Sequence, residues 1–196
     1  PEFVEIKING IWRYGVPLKE KWVATHFHGV DLDPLMSDDG TMEVTIKVGG
    51  KSYTGQVTLD LLVGDRAYDT LFINFIDPGF KMMPTFSNRT KRFLTQEETM
   101  THSTVKGFFK SHRTGKPVQG YGGIQQTINR TYTTPDGGAI VLPLGWITTL
   151  PSSVGDCGLP LICTDTALNG RILGLHVAGS SDSLGLALFT MITQEQ

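Results

Sequence analysis

Residues 42–54, M-E-V-T-I-K-V-G-G-K-S-Y-T, decide the fold class. Met42, Val44, Ile46 and Val48 alternate with Glu43, Thr45 and Lys47, a period of two that buries one face of an extended segment and wets the other. Gly49-Gly50 then offers the positive backbone angles of a two-residue turn, and strand-forming composition resumes after it. The stretch reads as a hairpin of an antiparallel sheet. Runs of the same kind recur on both sides of it, at V-E-I-K-I (4–8), T-L-F-I-N-F-I (70–76), I-Q-Q-T-I-N-R-T-Y-T-T (124–134), A-I-V-L-P-L (139–144), I-L-G-L-H-V-A-G (172–179) and L-A-L-F-T-M-I (186–192). Turn residues separate them, which is the spacing of an all-β protein. Helical periodicity is scarce, the best short candidates being L-K-E-K-W (18–22), L-D-L-L (59–62) and T-V-K-G-F-F-K (104–110).

The polar, weakly periodic segment 87–104, S-N-R-T-K-R-F-L-T-Q-E-E-T-M-T-H-S-T, is the expected linker. It divides the chain into an N-terminal β unit, 1–86, and a C-terminal one, 105–196. The pattern is compatible with a sandwich or with a double barrel. With 196 residues, 39% of them hydrophobic, the chain buries a sizeable core. No apolar run approaches the ~18 residues of a membrane span, so no membrane partner is expected. Pro1-Glu2-Phe3 resembles the remnant of a cleaved fusion, and function is sought after it. A net charge of −2 argues against wholesale nucleic-acid binding, yet between residues 78 and 135 nine Lys/Arg face only Glu97 and Glu98. That basic middle is either a solvated face or an RNA-contacting surface.

The two cysteines sit in unlike settings. Cys163, in P-L-I-C-T, reads as a packed thiol. Cys157, in S-V-G-D-C-G-L-P-L (153–161), stands between glycines, which free the backbone and let another molecule approach. Two cysteines six positions apart make no disulfide framework and point to a reducing compartment, and they match no common zinc spacing. A nucleophilic thiol needs a base, because the thiolate is the reactive species. His26 ends the apolar run W-V-A-T and is the expected base, with His28 two residues on in a Gly-containing turn. Asp69, opening T-L-F-I-N-F-I, is the expected orienting acid, with Asp65 and Glu43 as alternatives by position. The order His, Asp, Cys is that of chymotrypsin-like enzymes. Papain-type order is the reverse.

G-D-C-G (155–158) followed by G-L-H-V-A-G (174–179) resembles the paired signature of the picornavirus 3C-like cysteine proteases, most like their insect and invertebrate-virus branches. The resemblance is strong over 151–190 and extends back to His26. It implies two antiparallel six-stranded β-barrels with the active site in the cleft between them. It implies a viral cysteine endopeptidase that processes a polyprotein, cleaving after Gln with a triad of Cys157, His26 and Asp69, and needing no cofactor or metal. The backbone of Gly155, Asp156 and Cys157 would form the oxyanion hole. His176 would read the Gln side chain, with Ser152 in place of the family's usual Thr and with Ala178 and Gly179 beside it. The family also carries an RNA-binding motif, and here Lys81, Arg89, Lys91 and Arg92 are its nearest equivalents. Its members act in the host cytoplasm at replication complexes. The rival reading is an RNA-binding β module of such a complex without protease activity.

Overall fold

The Gly49-Gly50 turn joins β4 (Thr41–Val48) to β5 (Lys51–Thr58), paired antiparallel from Val48 opposite Lys51 to Thr41 opposite Thr58. Met42, Val44, Ile46 and Val48 are all buried, as the alternation requires. The computed structural model describes residues 1–37, 40–111, 118–150, 152–153, 155–179 and 186–196. Its N-terminal half adds β1 (Val4–Ile8), β2 (Ile11–Lys19), β3 (Trp22–His26), β6 (Leu62–Asp65) and β7 (Thr70–Asn74). These form one antiparallel sheet in the order β5-β4-β1-β2-β3-β7-β6. It wraps a core that includes Ile6, Ile46, Leu71, Ile73, Phe75 and Phe80.

The C-terminal half contains β8 (Thr104–Ser111), β9 (Val118–Thr133), β10 (Ala139–Thr148), β11 (Pro160–Cys163), β12 (Ile172–Gly179) and β13 (Ala187–Met191). They close into a six-stranded barrel, β10-β13-β12-β11-β8-β9. Phe109, Trp146, Leu161, Cys163, Leu173 and Phe189 fill it, and the Trp146 indole donates to the Leu173 carbonyl at 3.2 Å. Cys163 is packed, as read from its neighbours.

The architecture is the all-β double barrel, with one difference in its first half. That half has seven strands and is not closed, because a 3-10 turn at Leu59–Leu61 carries the chain out of β5 and lets β6 pair with β7 instead. Segment 104–110, a helical candidate by composition, is strand β8, whose Val105, Gly107 and Phe109 face inward. The α-helix found among the described residues is α1 (Gln96–Thr101), inside the polar stretch between the sheets. Thr95 and Glu98 form its capping box, each side chain bonding the other's backbone N–H.

The β9–β10 hairpin outgrows the barrel. β8 pairs with β9 only as far as Gln125, and β13 pairs with β10 only from Gly145 onward. Among the described residues, 128–133 and 139–144 therefore pair only with each other, as a two-stranded arm.

Candidate active site

The turn carrying Cys157 is fixed from three sides. Asp156 is 1% exposed, and its carboxylate accepts the Ser111 hydroxyl at 2.5 Å and the Ser153 N–H at 2.7 Å. Behind the turn runs β2, whose Tyr14 N–H donates to the Cys157 carbonyl at 3.3 Å. Gly158, at φ +95°, lies so close to β2 that a Cβ there would stand 1.8 Å from the Tyr14 carbonyl oxygen. This is why the cysteine is followed by glycine. On the far side, the Gly158 N–H donates to the His176 carbonyl at 2.9 Å, tying the turn to β12.

Three backbone groups were expected at the oxyanion, and the structure corrects one. The Asp156 N–H is already spent on the Ser153 carbonyl at 3.1 Å. No backbone carbonyl among the described residues takes the N–H of Gly155 or of Cys157, so these two can turn to a ligand. Gly155 has φ +97°, a conformation that glycine adopts without steric cost.

The acid is Asp69. Thr70 pairs with His26 across β7 and β3, which sets Asp69 beside the residues just past the end of β3. Its Oδ1 accepts the N–H of Phe27 at 3.0 Å and of His28 at 2.6 Å, and its Oδ2 takes His28 Nδ1 at 2.6 Å. A second donor to Oδ2 is the Tyr132 hydroxyl from the arm, also at 2.6 Å. Asp69 itself sits at φ +49°, an uncommon angle for a residue with a side chain. Of the two alternatives, Asp65 accepts the Tyr68 N–H inside the turn, and Glu43 is exposed on β4 opposite Gln56.

The histidine that Asp69 holds is therefore His28, not His26. The expectation favoured His26 because it ends the apolar strand, and that burial is what removes it from the acid. His26 is 6% exposed, its Nδ1 has no hydrogen-bond partner among the described residues, and burial holds its pKa well below the usual value. The His28 ring packs against it at a centroid separation of 4.5 Å. Arg13 of β2 secures this corner. Its guanidinium donates to the carbonyls of His26 at 2.9 Å and His28 at 3.3 Å, and burial lowers its pKa to about 10.

Cys157 completes the cluster. One ring nitrogen from each of His26 and His28 and the Cys157 Sγ all lie within 4.8 Å of one another. The same three atoms could hold a soft divalent cation. The thiol donates to the Val177 carbonyl at 3.4 Å. Burial pushes its pKa up to about 12, with the charge of Asp69 adding to the rise and Arg13 opposing it. A proton therefore rests on sulfur near neutral pH.

Beyond the thiol, His176 lies in β12 at 2% exposure, stacked on Phe109 at 5.5 Å and edge-on to Phe189 at 5.2 Å. Among the described residues neither of its ring nitrogens has a partner, and burial lowers its pKa to about 4. Gly179, at the end of β12, lies against Ser152, whose Oγ would be 3.3 Å from a Cβ there. Ala178 is half-buried at a bulge in the pairing of β12 with β13. The basic residues stand apart from this group. Lys81 and Lys91 are exposed, while Arg89 bonds the Pro17 carbonyl and Arg92 bonds the Gly170 carbonyl and Glu2. Arg113 and Lys116 lie outside the described residues.

Tyr132 and Arg13 carry no motif and were not anticipated, because their place depends on how the arm and β2 meet the site.

No protein-family model matches the chain. Over 72 residues it is 38% identical to the replicase polyprotein of Acute bee paralysis virus (strain Rothamsted), a stretch covering 36% of this chain and only 4% of that polyprotein's length. The HRV-C 3C protein solved with rupintrivir superposes with a TM-score of 0.58 at 12% identity, covering 99% of this chain and 93% of that one. Catalytically active tobacco etch virus protease complexed with product gives 0.55 at 18% identity, covering 97% and 72%. The chain thus has the fold of the viral 3C and chymotrypsin-like proteases, as its paired glycine motifs led one to expect.

Proposed function

We propose that this chain is a viral cysteine endopeptidase that processes a polyprotein by acyl-enzyme chemistry, cutting after Gln. The observation that carries the reading is the grip of Asp69 on both the backbone and the ring of His28, beside the thiol of Cys157. An acid that fixes an imidazole by Nδ1 leaves Nε2 as the proton acceptor, the arrangement a nucleophile–base pair needs.

In this reading His28 takes the proton of Cys157 as Sγ attacks the scissile carbonyl, since a thiol of pKa about 12 does not ionise beforehand. The carbonyl π bond opens to an oxyanion, which the N–H groups of Gly155 and Cys157 receive. Collapse breaks the C–N bond, and the leaving amine takes the proton from His28. A water then gives a proton to His28 and adds to the thioester. The thiolate departs and recovers that proton.

His176 supports the Gln preference. A buried imidazole held neutral can donate to an amide carbonyl without attracting a carboxylate. Its two ring nitrogens, without a partner among the described residues, leave it able to gain hydrogen bonds when a side chain enters.

The deciding experiment measures cleavage of a peptide with Gln before the cut by wild type, Cys157→Ala, His28→Ala and His26→Gln. The first two variants should lose cleavage to a similar depth, because nucleophile and base act as a unit. His26→Gln should still cut. An active His28→Ala beside a dead, folded His26→Gln returns the base to His26, and an active Cys157→Ala ends the cysteine mechanism.

A further inference from the structure

The arm of β9 and β10 leaves its own barrel and makes a specific contact with the other half. The Tyr132 hydroxyl donates to Asp69 Oδ2 at 2.6 Å, the same oxygen that takes His28 Nδ1. The Tyr132 ring is 9% exposed and belongs to a cluster with Leu142, Val177 and Leu188. Val177 is the residue whose carbonyl accepts the Cys157 thiol. One side chain thus meets the acid with its hydroxyl and packs in the cluster that contains the thiol's acceptor. Burial first, and then the charge of Asp69, raise the phenol's pKa, so it stays a donor. The Tyr68 carbonyl, next to Asp69, is bound from the same half by the Thr190 hydroxyl at 2.7 Å. Both bonds converge on the turn that aims the acid.

We propose that Tyr132 is a positioning residue of the active site, whose hydroxyl shares Asp69 with His28 and makes a competent acid–base pair depend on the arm being docked. The proposal rests on reading Asp69, His28 and Cys157 as the catalytic set. Asp69 lies in the turn before β7 and Cys157 in the turn before β11 of the barrel, so a bond from the second half to the acid fixes the relation that the chemistry needs. It also divides Oδ2 between two donors, the phenol and the His28 ring. Removing the phenol leaves that oxygen to the ring alone, which favours imidazolium. The other charged or titratable groups facing His28 are Arg13 of β2, His26 of β3, Asp136 in the turn of the arm, Cys157, and His176 of β12. Tyr132→Phe leaves all of them in place.

The test is the pH profile of kcat/KM from pH 5 to 9 for wild type, Tyr132→Phe, Asp69→Asn and the double variant, with Cys157→Ala as control. Tyr132→Phe should lower kcat by about 10-fold with KM nearly unchanged and move the acid limb upward by roughly half a pH unit. Combined with Asp69→Asn it should cost little more, since both changes break one interaction. A lower melting temperature alone does not move the limb, so the limb decides even if Tyr132→Phe is less stable. A fixed limb, an additive double variant, or wild-type rates overturn the proposal. Cleavage surviving in Cys157→Ala sinks the parent reading instead, whereas a dead Cys157→Ala beside a wild-type Tyr132→Phe sinks this one alone.

Discussion

Asp69→Asn replaces one carboxylate oxygen with an amide nitrogen, and the four donors around that side chain dictate the result. Two of them, the backbone N–H groups of Phe27 and His28, cannot turn away, so the single amide oxygen must stay with them. The amide NH₂ then faces His28 Nδ1 and the Tyr132 hydroxyl. A donor opposite Nδ1 makes Nδ1 the acceptor and puts the imidazole proton on Nε2, the atom that should receive the thiol proton. The base is present in the wrong tautomer. A preformed thiolate would tolerate this, and the sequence alone therefore suggests a mild defect. Burial argues otherwise. With its pKa near 12, the thiol is ionised to only about one part in 10⁵ at pH 7, so catalysis leans on the base. General-base catalysis is worth about 10²–10⁴-fold, and kcat at pH 7 should fall by that much. Single-turnover cleavage of a Gln peptide between pH 6 and 9 reads it, with the defect shrinking as the pH rises and thiolate forms unaided. An Asp69→Asn enzyme within about threefold of wild type at pH 7 would refute the tautomer argument and the resting thiol together.

Gly158→Ala should prevent the Cys157 turn from docking on β2, because its Cβ would meet a backbone carbonyl at 1.8 Å that cannot move aside. Alkylation of Cys157 in the folded variant checks this, and a thiol as protected as in wild type contradicts it. Stability should fall on acidification from pH 6.5 to about 4: His176 is neutral in the fold while the unfolded chain takes up the proton, and above pH 6.5 its contribution is intact. The full span is worth roughly 3 kcal/mol, and His176→Leu should remove much of that slope in urea titrations. Matched peptides with Gln or Glu before the cut should differ by roughly one to two decades in kcat/KM with wild type. The gap should narrow in His176→Leu, and an undiminished preference there would take His176 out of the pocket.

What the sequence discloses and what it hides divide along a physical line. The β4–β5 hairpin is legible because alternation and a Gly-Gly turn are local, and the Cys157 turn because a cysteine flanked by glycines has few structural excuses. Helix α1 was present in T-Q-E-E, a capping box without an apolar face, and was masked by the polarity around it. Strand β8 reads as a short helical candidate because Phe108 and Phe109 are adjacent, a pairing that fits either period. The histidine is the deeper case. His26 and His28 are two residues apart, one after Thr25 at the end of an apolar run and one after Phe27, and no local pattern separates them. The choice is made by a carboxylate more than forty positions away, through the register of β3 with β7 that sets Thr70 opposite His26. That register places Asp69 one step beyond the strand end, where it can grasp two successive N–H groups and, from the second of those residues, a ring. A base at His26 would have to turn its side chain out of the core to meet the same oxygen. Burial thus makes His26 a good strand residue and, for the same reason, a poor partner for a charged acid. His28, past the end of the strand, meets that acid with both its backbone N–H and its ring.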